Sequence, residues 1–193
     1  MRPGTLWITA DPEVDGLVNT DPLALLIGML LDQQIAIELA FRGPHRIQER
    51  MGVPLDAATI AAWSSEDFAA LCALKPAIHR FPAVMAGRIQ DLCSHITDEY
   101  AGRPERIWQR RRSADTVAAN LRAVPGYGDE KVRIFLAILA KRFSIRPDGW
   151  EAAAAPFSDD LPRSVADMGS AEDRLAVRAW KKAQNAAGKA KDD

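Results

Sequence analysis

Val124-Pro125-Gly126-Tyr127-Gly128 runs straight into Asp129-Glu130-Lys131-Val132-Arg133, which sets two glycines one residue apart at the start of a helical pattern. Such a turn does its chemistry with backbone. Gly126 and Gly128 reach angles that other residues resist, and they carry no side chain to block a close approach. The turn also opens a helix, where unpaired N–H groups and the helix dipole attract anions such as phosphate. A short amphipathic run, Ala114 to Val124, precedes it, and a longer apolar run reaching about Phe143 follows. Together they read as a helix-hairpin-helix over about 113–143, whose expected ligand is a phosphate of the DNA backbone.

The elements that position this turn are helical by pattern. Residues 1–20 form a mixed lead-in, with Trp7 and Ile8 available for packing. Asp21-Pro22 is an N-cap followed by proline at the first turn, and Leu23 to Leu31 is apolar on nearly every side, as a central core helix is. Asp32-Gln33-Gln34 interrupts it; simple exposure accounts for Gln33, while a polar pair after so buried a stretch must face a partner, a cleft or solvent. Ile35, Ile37, Leu39 and Phe41 resume the pattern. Short helices are expected over Pro44–Met51 and Asp56–Trp63, and Ser64 opens another through a capping-box-like Ser64-Ser65-Glu66-Asp67. Lys75 to Pro82 is a break, and Met85, Ile89, Leu92, Cys93 and Ile96 mark one stripe of a helix from about Ala83 to Tyr100. Beyond a short turn around Trp108 and the cluster Arg110-Arg111-Arg112, Ser113 caps the hairpin's first helix. Ser144 to Trp150 is a loop, Glu151–Ala155 a short helix and Pro156–Pro162 irregular. Ala171–Ala187 is an amphipathic helix carrying Leu175, Val177 and Trp180, and Lys189–Asp193 is a frayed tail. No period-two strand pattern or repeat interrupts this, so the fold class is all-α.

Bulk properties set the bounds. A chain of 193 residues with 48% hydrophobic content suits a folded unit with a sizeable core. No apolar run has the length to span a bilayer, and Met1 to Trp7 lacks a signal peptide's apolar stretch, so a cytoplasmic location is expected. Cys72 and Cys93 sit in helical patterns as buried thiols, and two cysteines cannot supply a four-cysteine iron–sulfur or zinc site. A mixed site with His45, His79 or His95 has no recognised metal spacing behind it. The net charge of −1 gives no global sign of a nucleic-acid partner, yet residues 103–146 hold eleven Lys or Arg against four Asp or Glu. That basic segment contains the hairpin.

Three features resemble the helix-hairpin-helix DNA glycosylases, the superfamily of endonuclease III and the adenine and alkylpurine glycosylases. Val124-Pro125-Gly126-Tyr127-Gly128 is similar to that family's Leu-Pro-Gly-aliphatic-Gly turn. Asp148 lies twenty residues beyond Gly128, the family's spacing for its essential aspartate, although Pro147-Asp148-Gly149 is also an ordinary turn tripeptide. Leu30-Leu31-Asp32-Gln33-Gln34 looks like the family's apolar helix ending in a glutamine that fills the gap left by an extruded base. The resemblance covers about residues 21–150.

The resemblance implies a two-lobed all-α fold: a helical lobe over 21–140, and a second lobe from 1–20 plus 141–193 that carries the aspartate loop. It implies a glycosylase that flips a damaged or mismatched base of double-stranded DNA and cleaves the N-glycosidic bond. Asp148 would stabilise the oxocarbenium-like sugar and orient or deprotonate water. Gln34 would enter the vacated stack, with a second wedge from His79, Arg80 and Phe81. Val124, Pro125, Gly126, Tyr127 and Gly128, with Lys131 and Arg133, would hold the phosphate, and a K+ or Na+ ion would sit on carbonyls near Val124 and Tyr127. No iron–sulfur cluster is implied. The family's strand-nicking members place a lysine two residues past the second glycine; here that residue is Glu130, so a monofunctional enzyme without lyase activity is expected. Trp63, Trp108 and Trp150 are candidates to stack on the flipped base. The expected state is a nucleoid-associated monomer with no membrane partner. The alternatives are a helix-hairpin-helix DNA-binding protein without catalysis and a helical protein with no nucleic-acid role.

Overall fold

In the computed structural model, which describes residues 4–186, every regular element is helical, and the one extended pairing among the described residues is a bridge between Ser113 and Asp148. The tail at Lys189–Asp193 and the start of the chain at Met1 lie outside the described residues.

The lead-in, mixed by pattern, holds a helix. Asp11 accepts from the N–H groups of Glu13 and Val14 and proline follows it, which starts α1 (Pro12–Thr20). Asp21 closes α1 and caps α2 (Pro22–Leu31) through the N–H groups of Leu23 and Ala24. Residues Leu23 to Leu31 of α2 are all buried, so α2 is the axis of the core. α3 (Ile37–Met51) is one helix rather than the expected short piece from Pro44; it contains Pro44 and ends at Gly52 in a left-handed conformation, φ 69°. α3 packs along α2.

α4 (Ala57–Ala62) and α5 (Ser65–Ala73), started by Asp56 and Ser64, both lie against α6 (Pro82–Tyr100). The apolar stripe of α6 faces them with Met85, Ile89, Leu92, Cys93 and Ile96 all buried. Burial pushes the Cys72 thiol up to about 12, and that of Cys93 higher still. A 3-10 turn, Pro104–Ile107, leads through buried Trp108 to α7 (Ala114–Ala123), which Ser113 caps. α8 (Asp129–Arg142) runs through the expected lobe boundary at residue 140. After α9 (Trp150–Ala153), a 3-10 turn at Val165–Asp167 packs on α8 and receives α10 (Ala171–Ala186). Of the apolar residues carried by α10, Val177 is buried and Leu175 is exposed.

The first residues stitch distant elements together. Gly4 N donates to Asn19 O, Thr5 N to Arg142 O and Trp7 N to Met168 O, at 2.9, 3.2 and 2.9 Å. Most of the buried apolar side chains form one contiguous cluster from Leu6 to Val177. Among the described residues no single helix is long and apolar enough to cross a membrane.

Candidate nucleic-acid interface

The turn between α7 and α8 divides its residues between two sides. Val124 and Tyr127 are buried, while Gly126 and Gly128 are exposed. Tyr127 N donates to Val124 O at 3.1 Å to close the turn, and Gly126 adopts φ 84°, which favours glycine. Gly128 is the N-cap of α8, and no side chain caps that end. A methyl group added at Gly128 would meet nothing within 4 Å, so a ligand has open access to the first turn. The two carboxylates there are partly offset: Asp129 pairs with Arg122 at 2.7 Å, and Glu130 is exposed.

The other side of the turn is docked on α2. Tyr127 Oη donates to Leu26 O at 2.8 Å in a fully buried contact, and burial holds its phenol well above the usual range. A methyl group at Gly126 would overlap Leu30 Cδ1. Lys131 Nζ donates to the carbonyls of Met29, of Leu30 at 3.3 Å and of Asp32 at 3.1 Å. Lys131, expected on the phosphate, turns its ammonium group to the end of α2 instead. The C-terminal carbonyls of α2 lack intrahelical partners and carry the negative end of its dipole, so they take the ammonium group. Arg133 stays exposed, with weak contacts to Asp129 O and Ala155 O, both at 3.4 Å.

The chain leaving α2 forms a braced turn. Gln33 is half-buried and fully engaged: Nε2 donates to Leu30 O at 2.6 Å, Oε1 accepts from Arg88 Nη1 at 2.9 Å, and its carbonyl meets His79 Nε2 at 2.8 Å. Simple exposure therefore does not describe Gln33, which is a bracket. Gln34 beside it is exposed and left-handed, φ 56°. Phe81 N donates to His79 Nδ1 at 3.1 Å, so Nδ1 accepts and the ring proton is on Nε2, toward Gln33. His79 is 5% exposed and turned inward, so it is not a wedge in this arrangement; its two ring nitrogens hold the loop together. Arg80 and Phe81 are the presented pair, Phe81 being 45% exposed with the Arg80 guanidinium 4.7 Å from its ring centre. The hairpin and Phe81 are thus linked through Asp32, Gln33 and His79 at one end of α2, with Gln34 next in the chain to Gln33.

Asp148 is held elsewhere. Its N–H donates to Arg112 O at 2.6 Å and its carbonyl accepts from Ala114 N at 2.9 Å, which fixes its backbone beside the start of α7. The exposed side chain lines a cleft of about 780 Å³ together with Arg110, Arg111, Arg112, Ile145 and Arg146. Neither Gln34, the Arg80–Phe81 pair nor the hairpin lines this cleft. Ser113 and Val124 stand at opposite ends of α7, roughly 15 Å apart at helical rise. Of the three tryptophans, Trp108 is buried on Phe135, with ring centres 5.3 Å apart, and Trp63 is half-buried against Phe68 at 6.1 Å. Trp150 is half-buried at the start of α9. The arginine cluster, which carries no role in the sequence pattern, is signalled there only by three adjacent cations.

No family model, curated protein or solved structure matches the chain.

Proposed function

We propose that this chain is a monofunctional base-excision DNA glycosylase of the helix-hairpin-helix type, acting on a damaged or mismatched base in double-stranded DNA. The observation that carries the reading is the fastening of the hairpin to the C-terminal half of α2 and its cap Asp32, directly before the Gln33–Gln34 turn, through Tyr127, Gly126 and Lys131. A phosphate held at the open N-terminus of α8 then has a fixed position relative to Gln34. That is what a protein needs if it grips one nucleotide and fills the stack beside it. Gln34 enters the gap, and Phe81 with Arg80 presents a flat apolar and cationic face to the opposite strand. Two-lobed architecture, a K+ or Na+ ion on carbonyls near Val124 and Tyr127, and action as a monomer belong to the same proposal.

The chemistry falls to Asp148. Breaking the glycosidic bond builds positive charge on the deoxyribose, and a carboxylate beside it stabilises that charge and directs water to the anomeric carbon. Support comes from its exposure in a cleft large enough for a nucleotide, with its backbone clamped on both sides. With Glu130 at the position of the strand-nicking lysine, water attacks, base and abasic site are the products, and the strand stays intact.

A second reading is favoured by one observation: Gln34 does not line the cleft that contains Asp148. In that reading the chain grips and wedges DNA without catalysis. Base release from a panel of duplexes with deaminated, alkylated, oxidised or mismatched bases separates the two. Release that is abolished by Asp148→Asn, with duplex affinity kept, supports the glycosylase. Binding with no release from any substrate supports the second reading, and no duplex binding at low salt removes both.

A further inference from the structure

The basic balance of residues 103–146 is mostly occupied within the fold. Arg103 pairs with Glu105, Arg122 with Asp129 and Lys141 with Asp167, while Lys131, Arg106, Arg133 and Arg142 donate to carbonyls. Arg146 donates to Ala140 O through Nε alone. That leaves Arg110, Arg111 and Arg112. All three are exposed, and their guanidinium groups make no ion pair or hydrogen bond with any described residue. Three adjacent unpaired cations repel one another, and an anion relieves that repulsion.

Their backbone is committed to this presentation. Arg110 sits at φ 60° and Ser144, across the same cleft, at φ 57°, a region that disfavours both residue types. Arg112 O is fixed by Asp148 N. Close by, Glu105 is engaged with Arg103, so Asp148 is the carboxylate left facing the cleft. It sets a lower bound on ligand size, because a lone small anion centred in the cleft would also meet Asp148. A chain of phosphates passing along the arginine rim would not.

We infer that Arg110, Arg111 and Arg112 form a second phosphate clamp, gripping the DNA backbone at a point separate from the hairpin. This rests on the reading of the hairpin as a DNA grip. The two anchors stand at opposite ends of α7, and roughly 15 Å of helix corresponds to about four phosphates at about 3.4 Å of axial rise per strand. The clamp therefore fixes the direction in which the duplex crosses the protein, which a single phosphate site cannot do.

The test is duplex binding by fluorescence anisotropy between 50 and 300 mM salt, with plain labelled duplexes of about 20 and 5 base pairs, comparing the native chain with Arg110→Ala/Arg111→Ala/Arg112→Ala and the corresponding triple lysine variant. On the long duplex the alanine variant should bind at least tenfold more weakly at low salt, with a log–log salt slope shallower by about 2 to 3. On the short duplex, which cannot span both anchors, the difference should fall below about threefold. The lysine variant should keep most of the slope. Thermal melting of each variant confirms that the fold is intact. Unchanged slope and affinity for the alanine variant on the long duplex overturn the clamp while leaving the hairpin reading standing. Equal losses on both duplexes overturn the two-anchor geometry. Inorganic phosphate that stabilises the native chain but not the alanine variant, with no change in DNA slope, identifies a small-anion site and also overturns it. No binding of any duplex by the native chain removes the hairpin reading and the clamp together.

Discussion

Tyr127 Oη donates to Leu26 O at 2.8 Å, across 101 positions of sequence, inside the core. Leu26 is also in the middle of α2, so its carbonyl accepts this bond in addition to any helical one. Tyr127→Phe should therefore lower stability by about 1 kcal/mol, the net worth of one buried hydrogen bond, without introducing a cavity. Chemical denaturation with an unchanged m-value would check it. The same variant should weaken DNA binding through hairpin placement, since no side-chain contact to the ligand is lost.

Lys131→Met tests the link between grip and wedge. The methionine keeps most of the stem but leaves the α2 carbonyls of Met29, Leu30 and Asp32 without their ammonium donor. We expect a stability loss of about 1 to 2 kcal/mol. Preference for a duplex with an unpaired base over a plain one should fall several-fold, while the salt slope stays as it was. A shallower slope would instead put the Lys131 ammonium on a phosphate, against the bonding described above.

Asp21 gives a pH-dependent prediction. Burial raises its carboxyl above the ordinary value, against the lowering effect of the bonds from Leu23 N and Ala24 N. The folded value thus lies above the unfolded one, so folding favours the protonated form. That contribution is complete below the ordinary carboxylate value of about 3.9 and is lost as the pH rises through the folded value. Asp21→Asn keeps the cap acceptor and removes the charge, so it should match or exceed the native Tm at pH 7. Its advantage should vanish near pH 3.5. Asp21→Ala, which has no acceptor, should cost about 1 kcal/mol at neutral pH.

Cys72 and Cys93 are both fully buried, and burial raises both thiols, Cys72 to about 12. A thiol reagent at pH 8 should therefore label neither in the native protein and both once it is unfolded. Rapid native labelling of either would contradict the packing of α5 and α6.

Much of the fold was legible because helix starts are local. Asp21-Pro22, Ser64 and Ser113 each cap a helix where the sequence places one. Asp11-Pro12 carries the same signal as Asp21-Pro22, but few apolar residues follow it, so the pattern of α1 is faint. Pro44 misled in the opposite direction: a breaker by itself, it is carried inside α3 where packing on α2 outweighs one missing N–H. The site was legible in its backbone and obscure in its side chains. The glycines of the hairpin announce themselves by spacing. That Lys131 turns to the end of α2, or that His79 faces Gln33, depends on contacts 99 and 46 residues apart, which no window along the chain contains.

Gln34 occupies a left-handed position, φ 56°, where glycine would be at ease. Replacing it with glycine should relieve up to about 1 kcal/mol of backbone strain, and so raise the melting temperature while deleting the side chain proposed to enter the duplex. Selection for thermostability alone would drift toward losing the proposed wedge. The position is one where robustness and recognition pull the chain in opposite directions, and the residue present is the less comfortable of the two.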